Sequence, residues 1–324
     1  MDITLYYLVG WGAFLLLAGY FPAFIKNRTA ARTTAWFIIV LTTFFSVYVT
    51  REAPALFRMV AIASLQLIAM KSIVLVETYA GKPRLNFVQW VAFAAGWFGM
   101  RPALFEQFMS KPLHQTGRLV LIGMSRILLG LSLLFASRYL ENHGFNTFFL
   151  TKIIMLVGLS LILHFGILNL SAAFWRLFGV PVKELFIAPY QSKSLKEFWG
   201  KRWNLAFSEM TALVAYRPLK DRFGVKIAMF CSFLLSGLLH EIAISFPVNA
   251  GYGLPLSYFF IHGLVMLAES ESAWVQKIIR HPGWSRIWVM GWLLVPMPLL
   301  FHSHFMEQVV TPLRELILNS AFRV

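Results

Sequence analysis

Two adjacent ionisable residues, His240 and Glu241, stand at the end of the apolar run Phe230-Cys231-Ser232-Phe233-Leu234-Leu235-Ser236-Gly237-Leu238-Leu239. An imidazole shielded from water can take a proton from a hydroxyl and hand it on, the work of a general base. The 14 residues from Lys226 to His240 make about 21 Å of helix, well inside a hydrocarbon core about 30 Å thick. An ionisable side chain at that depth costs about 3 kcal/mol on insertion scales, so the pair is expected to line a protein-walled cavity or meet partners. Ser236 and Gly237, one turn earlier, would let a second backbone approach closely on the His240 face. His262 and Glu269, seven residues apart, lie two turns along one helical face and are candidates for the same cavity.

A second group of chemistry-bearing residues is Ser194-Leu195-Lys196-Glu197-Phe198-Trp199-Gly200-Lys201-Arg202-Trp203-Asn204. Alternating aromatic and basic residues can make a helix that lies in the membrane interface, but that does not single out Asn204. The alternative is a site for an anionic co-substrate, with Lys193, Lys196, Lys201 and Arg202 on phosphates and Trp199 and Trp203 beside an adenine or an acyl chain.

The elements that must position these residues can be read from the composition. The chain has 324 residues, 58% hydrophobic, 13% charged, with a mean hydropathy of +0.67. Soluble domains carry about 25% charged residues, so a soluble enzyme, a disordered chain and a disulfide-rich module are excluded; the single Cys231 forbids an internal disulfide. Candidate spans of about 20 residues fall near 3–25, 33–50, 59–80, 119–137, 147–171, 227–246, 250–269 and 284–306. The stretch 85–100, short and holding Gly96 and Gly99, reads as re-entrant or interfacial. Residues 312–324 could form an amphipathic surface helix. The expected fold is all-α: one domain over 1–324, a polytopic membrane protein with about eight transmembrane helices (range seven to ten).

The net charge of +15 reflects topology rather than nucleic-acid binding, because the basic residues sit between apolar stretches. With the N-terminus outside, Arg51, Arg58, Arg138, Lys152, Arg314 and Arg323 fall outside, Lys71 and Arg126 within spans, and the remaining 21 of 29 inside. That asymmetry satisfies the positive-inside rule and makes 172–226 an inside loop. It also sets Asn204 near the inner surface and His240 past the midplane. Shared chemistry then requires the sixth crossing to begin higher or the loop to dip into the protein, which non-helical backbone tolerates only where it is buried or lines a cavity.

The two patches together resemble the membrane-bound O-acyltransferase superfamily, most closely its wax-synthase-like branch. Phe198-Trp199-Gly200-Lys201-Arg202-Trp203-Asn204 is similar to that branch's aromatic-basic signature ending in Asn, and Ser236-Gly237-Leu238-Leu239-His240-Glu241 to the segment carrying the superfamily's catalytic His. The likeness covers about residues 190–245. It implies a helical bundle around an internal chamber and transfer of an acyl group from acyl-coenzyme A to the hydroxyl of a lipophilic alcohol, forming an ester. His240 and Asn204 would be catalytic. Glu241 would orient the imidazole or bind another group, with His262 a further supporting candidate. Lys196, Trp199, Lys201, Arg202 and Trp203 would bind the donor. Acyl-coenzyme A is then a co-substrate, with no bound cofactor and no nucleic-acid partner; the site is the cytoplasmic membrane in a bacterium or the endoplasmic reticulum in a eukaryote.

Two other functions compete. A zinc protease would need a second His four residues after His240, where Ile244 stands; no metal is expected. A transporter would use intramembrane Lys71, Arg126, His164 and His240 as a proton or substrate path, but gives Asn204 no role.

Overall fold

The computed structural model describes residues 2–79, 81–114, 116–144 and 148–321. Among these the regular structure is helical: α1 (Asp2–Ala18), α2 (Arg28–Val49), α3 (Ala55–Tyr79), α4 (Phe87–Gly96), α5 (Thr116–Asn142), α6 (Phe148–Ser160), α7 (Leu168–Leu177), α8 (Leu195–Glu197), α9 (Leu205–Thr211), α10 (Arg217–Val248), α11 (Leu254–Glu271), α12 (Ala273–Arg280), α13 (Pro282–Leu294), α14 (Met297–Leu300), α15 (Ser303–Phe305) and α16 (Thr311–Ala321), with short 3-10 and π turns between some of them. Six helical segments among the described residues are long and apolar enough to cross a membrane, or seven if the broken pair Pro282–Leu300 and Ser303–Ser320 counts as one. The sequence suggests about eight. The difference includes α11, whose His262, Glu269 and Glu271 lower its apolar character.

The chain packs as two compact units: 1–106 with 187–306, and 107–186 with 307–324. In the second unit α5 runs against α6, the π turn Leu161–Ile167 and α7. Gly130 and Gly158 lie backbone to backbone there, as small residues do where membrane helices approach closely. The helix expected at 312–324 is α16, and it is tied to α5 rather than left as a surface helix: buried Arg314 pairs with Glu141 at 2.7 Å. Residues 322–324 lie outside the described ones.

In the first unit α2 and α3 form an antiparallel pair. Asn27 caps α2 through the Ala30 N–H, and Glu77 near the end of α3 holds Arg28 and Arg32. The stretch 85–100, read as re-entrant or interfacial, holds α4, whose ten residues reach only about 15 Å. An Asn86–Gln89 capping box starts it, and Lys71 of α3 secures its C-terminal end and the turn beyond. The Lys71 ammonium is fully buried. It donates to the carbonyls of Phe93 (3.2 Å), Trp97 (2.8 Å) and Gly99 (2.5 Å) and lies 3.9 Å from the centre of the Phe93 ring. All three N–H donors of the side chain are spent on backbone.

Candidate active site

The decisive local feature is Gly224, whose φ of 82° and ψ of 170° interrupt the helix at α10; that backbone conformation is essentially open to glycine alone. Seventeen residues separate Phe207 from Gly224, and sixteen separate Gly224 from His240, about 25 Å of helix each way. The break folds the two arms back on each other, and the Phe207 ring meets the His240 ring at 5.2 Å. In a straight helix these residues would stand about 50 Å apart.

The other side of the excursion is held by α11. The Glu269 carboxylate accepts the N–H groups of Leu195 (2.7 Å) and Lys196 (3.1 Å) and the Trp288 indole N–H (3.1 Å). At the same end of α11, Glu271 pairs with Lys226 at 2.6 Å. Residues 195–224 therefore enter and leave at one end of the α10–α11 pair, reaching the level of His240 at Phe207. This is the dip expected of the loop if Asn204 and His240 are to act together.

Asn204 sits at the turning point in the left-handed conformation (φ 44°, ψ 63°), which Asn tolerates better than most residues. Its Oδ1 accepts the Phe207 N–H at 3.3 Å and so caps α9. The same Phe207 packs on His240, so one residue links the two sequence-predicted catalytic side chains. Behind α9, Glu209 pairs with Arg101 at 2.7 Å and accepts the Met100 N–H. The Lys71 cradle thus reaches the Asn204 arm through residues 97–101.

His240 is half-buried, its ring against Phe259 of α11 at 4.3 Å. Its Nδ1 lies 2.7 Å from the Ser236 carbonyl oxygen. A carbonyl can only accept, so Nδ1 carries a proton, and in the neutral imidazole Nε2 then keeps its lone pair. The neutral tautomer that a general base needs is built into the helix one turn back.

Glu241 does not touch the imidazole. Its oxygens accept the N–H groups of Gly253 (2.8 Å) and Leu256 (3.2 Å), satisfying donors at the start of α11 that the helix itself cannot. At Gly237 the two helices pack closely: a Cβ there would lie 2.8 Å from Leu256 Cδ1, 3.2 Å from Leu256 Cα and 3.2 Å from Phe259 Cβ. Gly237→Ala is expected to cost about 1–3 kcal/mol and to loosen Phe259 from His240. A lowered melting temperature of the detergent-purified protein, with activity falling alongside it, would check this.

His262 is fully buried; its Nε2 donates to the Trp292 carbonyl at 2.9 Å. Of the donor-site candidates, Lys196 and Lys201 are exposed, as is Lys193. Arg202 is engaged within the protein, pairing with Glu197 at 2.7 Å and reaching the Ala188 carbonyl at 3.3 Å. Burial opposes the Glu197 charge, but the Lys193 N–H and the Arg202 guanidinium outweigh it and hold the carboxyl below its ordinary range. Trp203 stacks on Phe198 at 5.5 Å, and Trp199 lies 5.5 Å from both Phe259 and His262.

Lys71 is committed to its three carbonyls. Arg126 is exposed on α5, and His164 lies in the π turn after α6, with Nδ1 3.1 Å from the Ser160 hydroxyl. Among the described residues no three His, Cys, Asp or Glu side chains are placed to hold a metal ion. Sequence reasoning missed Phe207 and Phe259, which wall the imidazole. Their signals were spacing: Phe207 falls one turn after the Asn cap, and Phe259 one turn before His262 on the same face.

Residues 182–261, which contain Asn204, Gly224 and His240, match the model of the membrane bound O-acyl transferase family. The chain is 32% identical over 142 residues to a protein named probable long-chain-alcohol O-fatty-acyltransferase 6 from Arabidopsis thaliana, a match covering 37% of this chain and 40% of that one. Over that segment the chain is similar to the membrane bound O-acyl transferase family. Its relatives are those of the wax-synthase-like branch: it is also 33% identical over 100 residues to the long-chain-alcohol O-fatty-acyltransferase of Simmondsia chinensis, covering 28% of each chain. The matches thus span between about a quarter and two fifths of these relatives' length. Both patches that carry the resemblance, the arm ending in Asn204 and the helix bearing His240, lie in the family segment, whereas His262 stands one residue beyond it.

Proposed function

We propose that this membrane acyltransferase moves an acyl group from acyl-coenzyme A to the hydroxyl of a long-chain alcohol, releasing coenzyme A and an ester. The observation that carries the reading is the meeting of Asn204 and His240 through Phe207, inside the segment that matches the family. His240 Nε2 takes the proton of the alcohol as its oxygen attacks the thioester carbonyl. The carbonyl oxygen gains charge, and the Asn204 Nδ2–H groups, not used in capping α9, donate to it. The carbon–sulfur bond then breaks, and the imidazolium returns its proton to the departing thiolate. The rings of Phe207 and Phe259 exclude water, which would otherwise compete with the alcohol.

The exposed Lys193, Lys196 and Lys201 supply cations for the phosphates of coenzyme A at the end where Lys226 and Glu271 meet. Arg202 gives shape to the arm rather than charge to the ligand. A lipophilic acceptor enters from the bilayer, and an acyl chain occupies apolar protein. The relatives' printed names support a fatty acyl donor and a long-chain alcohol; the compartment is the cytoplasmic membrane in a bacterium or the endoplasmic reticulum in a eukaryote.

The test is coenzyme A release by membranes carrying the chain, with acyl-coenzyme A donors of several lengths and a panel of alcohols from short to long. Release that depends on a long-chain alcohol is the expected result, and ester appearing in the lipid extract would accompany it. Asn204→Ala is expected to lower kcat about a hundredfold or more, the usual cost of removing one oxyanion donor. Release that proceeds equally well without any alcohol would make the protein a thioesterase instead.

A further inference from the structure

From Ser272 to Arg286 the sequence holds three cations, Lys277, Arg280 and Arg286, and no Asp or Glu. All three are exposed, and none pairs with a carboxylate among the described residues; the nearest in sequence, Glu271, is taken by Lys226. Beside them Trp274 and Trp284 stand 67% and 59% exposed. The local fold accounts for this. Ser272 and His281 are extended residues that each cap the helix after them, so the eight residues of α12 turn aside between α11 and α13. At 3.6 residues per turn, Lys277 and Arg280 share one face of α12, Val275, Ile278 and Ile279 occupy the other, and Trp274 stands at the boundary.

Exposed indoles beside unpaired cations on an amphipathic helix fit the surface of a bilayer, where the rings sit at headgroup level and the cations meet anionic headgroups. The leaflet follows from position. α12 leaves α11 at the end where Lys226 lies, and the asymmetry of basic residues assigns that end to the cytoplasmic leaflet, which carries the anionic lipid. One residue ties this patch to the donor arm. Trp288, one turn after Trp284, meets the Trp274 ring at 6.4 Å. Its indole donates to Glu269 Oε1 at 3.1 Å, the oxygen that also accepts the Leu195 N–H, and its ring packs on the core that holds Leu195 and Phe198.

We propose that α12 and the start of α13 form a docking surface for an anionic phospholipid of the cytoplasmic leaflet, and that the docked headgroup steadies the donor arm through Trp288 and Glu269. The docking surface stands without the acyltransferase reading above; its effect on donor use rests on that reading. Anionic lipid acting by charge alone does the opposite. A negative membrane repels the phosphates of acyl-coenzyme A within a Debye length and raises its KM.

The test uses the full chain reconstituted in phosphatidylcholine vesicles with and without phosphatidylglycerol. Binding is read from Trp274 and Trp284, as the fluorescence quenching by brominated forms of each lipid that is lost in Trp274→Phe/Trp284→Phe. Wild type is expected to favour brominated phosphatidylglycerol about fivefold over brominated phosphatidylcholine, the effect of one cation near an anionic surface. Lys277→Gln/Arg280→Gln/Arg286→Gln, all at exposed positions, is expected to lose that preference. Equal quenching by the two lipids in wild type, or a preference that survives the triple variant, would overturn the docking surface. Coenzyme A release by the same vesicles reads the link to the arm. Phosphatidylglycerol is expected to lower KM for acyl-coenzyme A in wild type and to raise it in the triple variant and in Trp288→Phe, which keeps the cations but cannot donate to Glu269. A lowered KM retained in Trp288→Phe would overturn the link. A KM already raised in pure phosphatidylcholine by the triple variant would assign the cations to the donor and overturn the lipid. Vesicles inactive with every donor and alcohol, yet showing the quenching preference, would remove the acyltransferase reading and leave the docking surface standing.

Discussion

His240→Ala is expected to abolish alcohol-dependent coenzyme A release, lowering kcat by about a hundredfold to ten-thousandfold, while the protein accumulates in membranes at the wild-type level. The separation of activity from folding has a structural reason. The hydrogen bond of the imidazole runs to the Ser236 carbonyl of its own helix, so its loss unties no other element. The ring contacts to Phe207 and Phe259 are lost as well, but both aromatics sit on helices anchored elsewhere: α9 by the Asn204 cap and the Glu209–Arg101 pair, α11 by Glu241 and Glu269. Release that survives the substitution would remove His240 as the base. The neighbouring Glu241 offers the contrast, since Glu241→Ala takes both acceptors from the start of α11 and acts through the fold.

Lys71→Met is expected to be the most destabilising single change in the first unit, costing about 3–5 kcal/mol, with a clear drop in the melting temperature of the detergent-solubilised protein. The substitution nearly keeps the volume but leaves the carbonyls of Phe93, Trp97 and Gly99 without their shared donor in a water-poor interior. Residues 97–101 would lose their anchor, and with them the Met100 and Arg101 contacts to Glu209 on the Asn204 arm. Activity is therefore expected to fall further than the loss of folded protein accounts for. A melting temperature equal to wild type would mean that the carbonyls find other donors and that the cradle is dispensable. A transport role for Lys71 predicts the opposite pattern, lost function with stability kept or gained, because removing an unpaired buried charge relieves the fold.

Much of this protein is readable without coordinates. Membrane residence is dictated by composition, because 13% charged residues cannot clothe a soluble surface of this size. The helical class is dictated by the bilayer, which leaves long apolar segments no other way to pair their backbone groups. The two patches were visible too, since a His–Glu pair deep in an apolar run and an aromatic-basic run ending in Asn each break the local pattern. A dip of the loop was one of two ways, with a higher start of the sixth crossing, in which Asn204 and His240 could cooperate.

The partners that lie far along the chain stayed hidden. Nothing near Lys71 in sequence says that its charge is spent on carbonyls 22 to 28 residues later, so it read as a functional cation. Glu241 read as a companion of His240 because it is adjacent, yet successive helical residues point about 100° apart, and the side chain turns to α11 instead. Arg202 read as a phosphate ligand, and Glu197 five residues earlier holds it. Buried Trp199 Nε1 and His262 Nδ1 have no hydrogen-bond partner among the described residues, and no local pattern announces that. Sequence by itself determined the solvent this chain lives in, its helical class and the residues capable of chemistry, because those depend on residue type and local spacing. Tertiary structure alone decided which of those residues meet, because a buried polar group is defined by whatever reaches it in three dimensions.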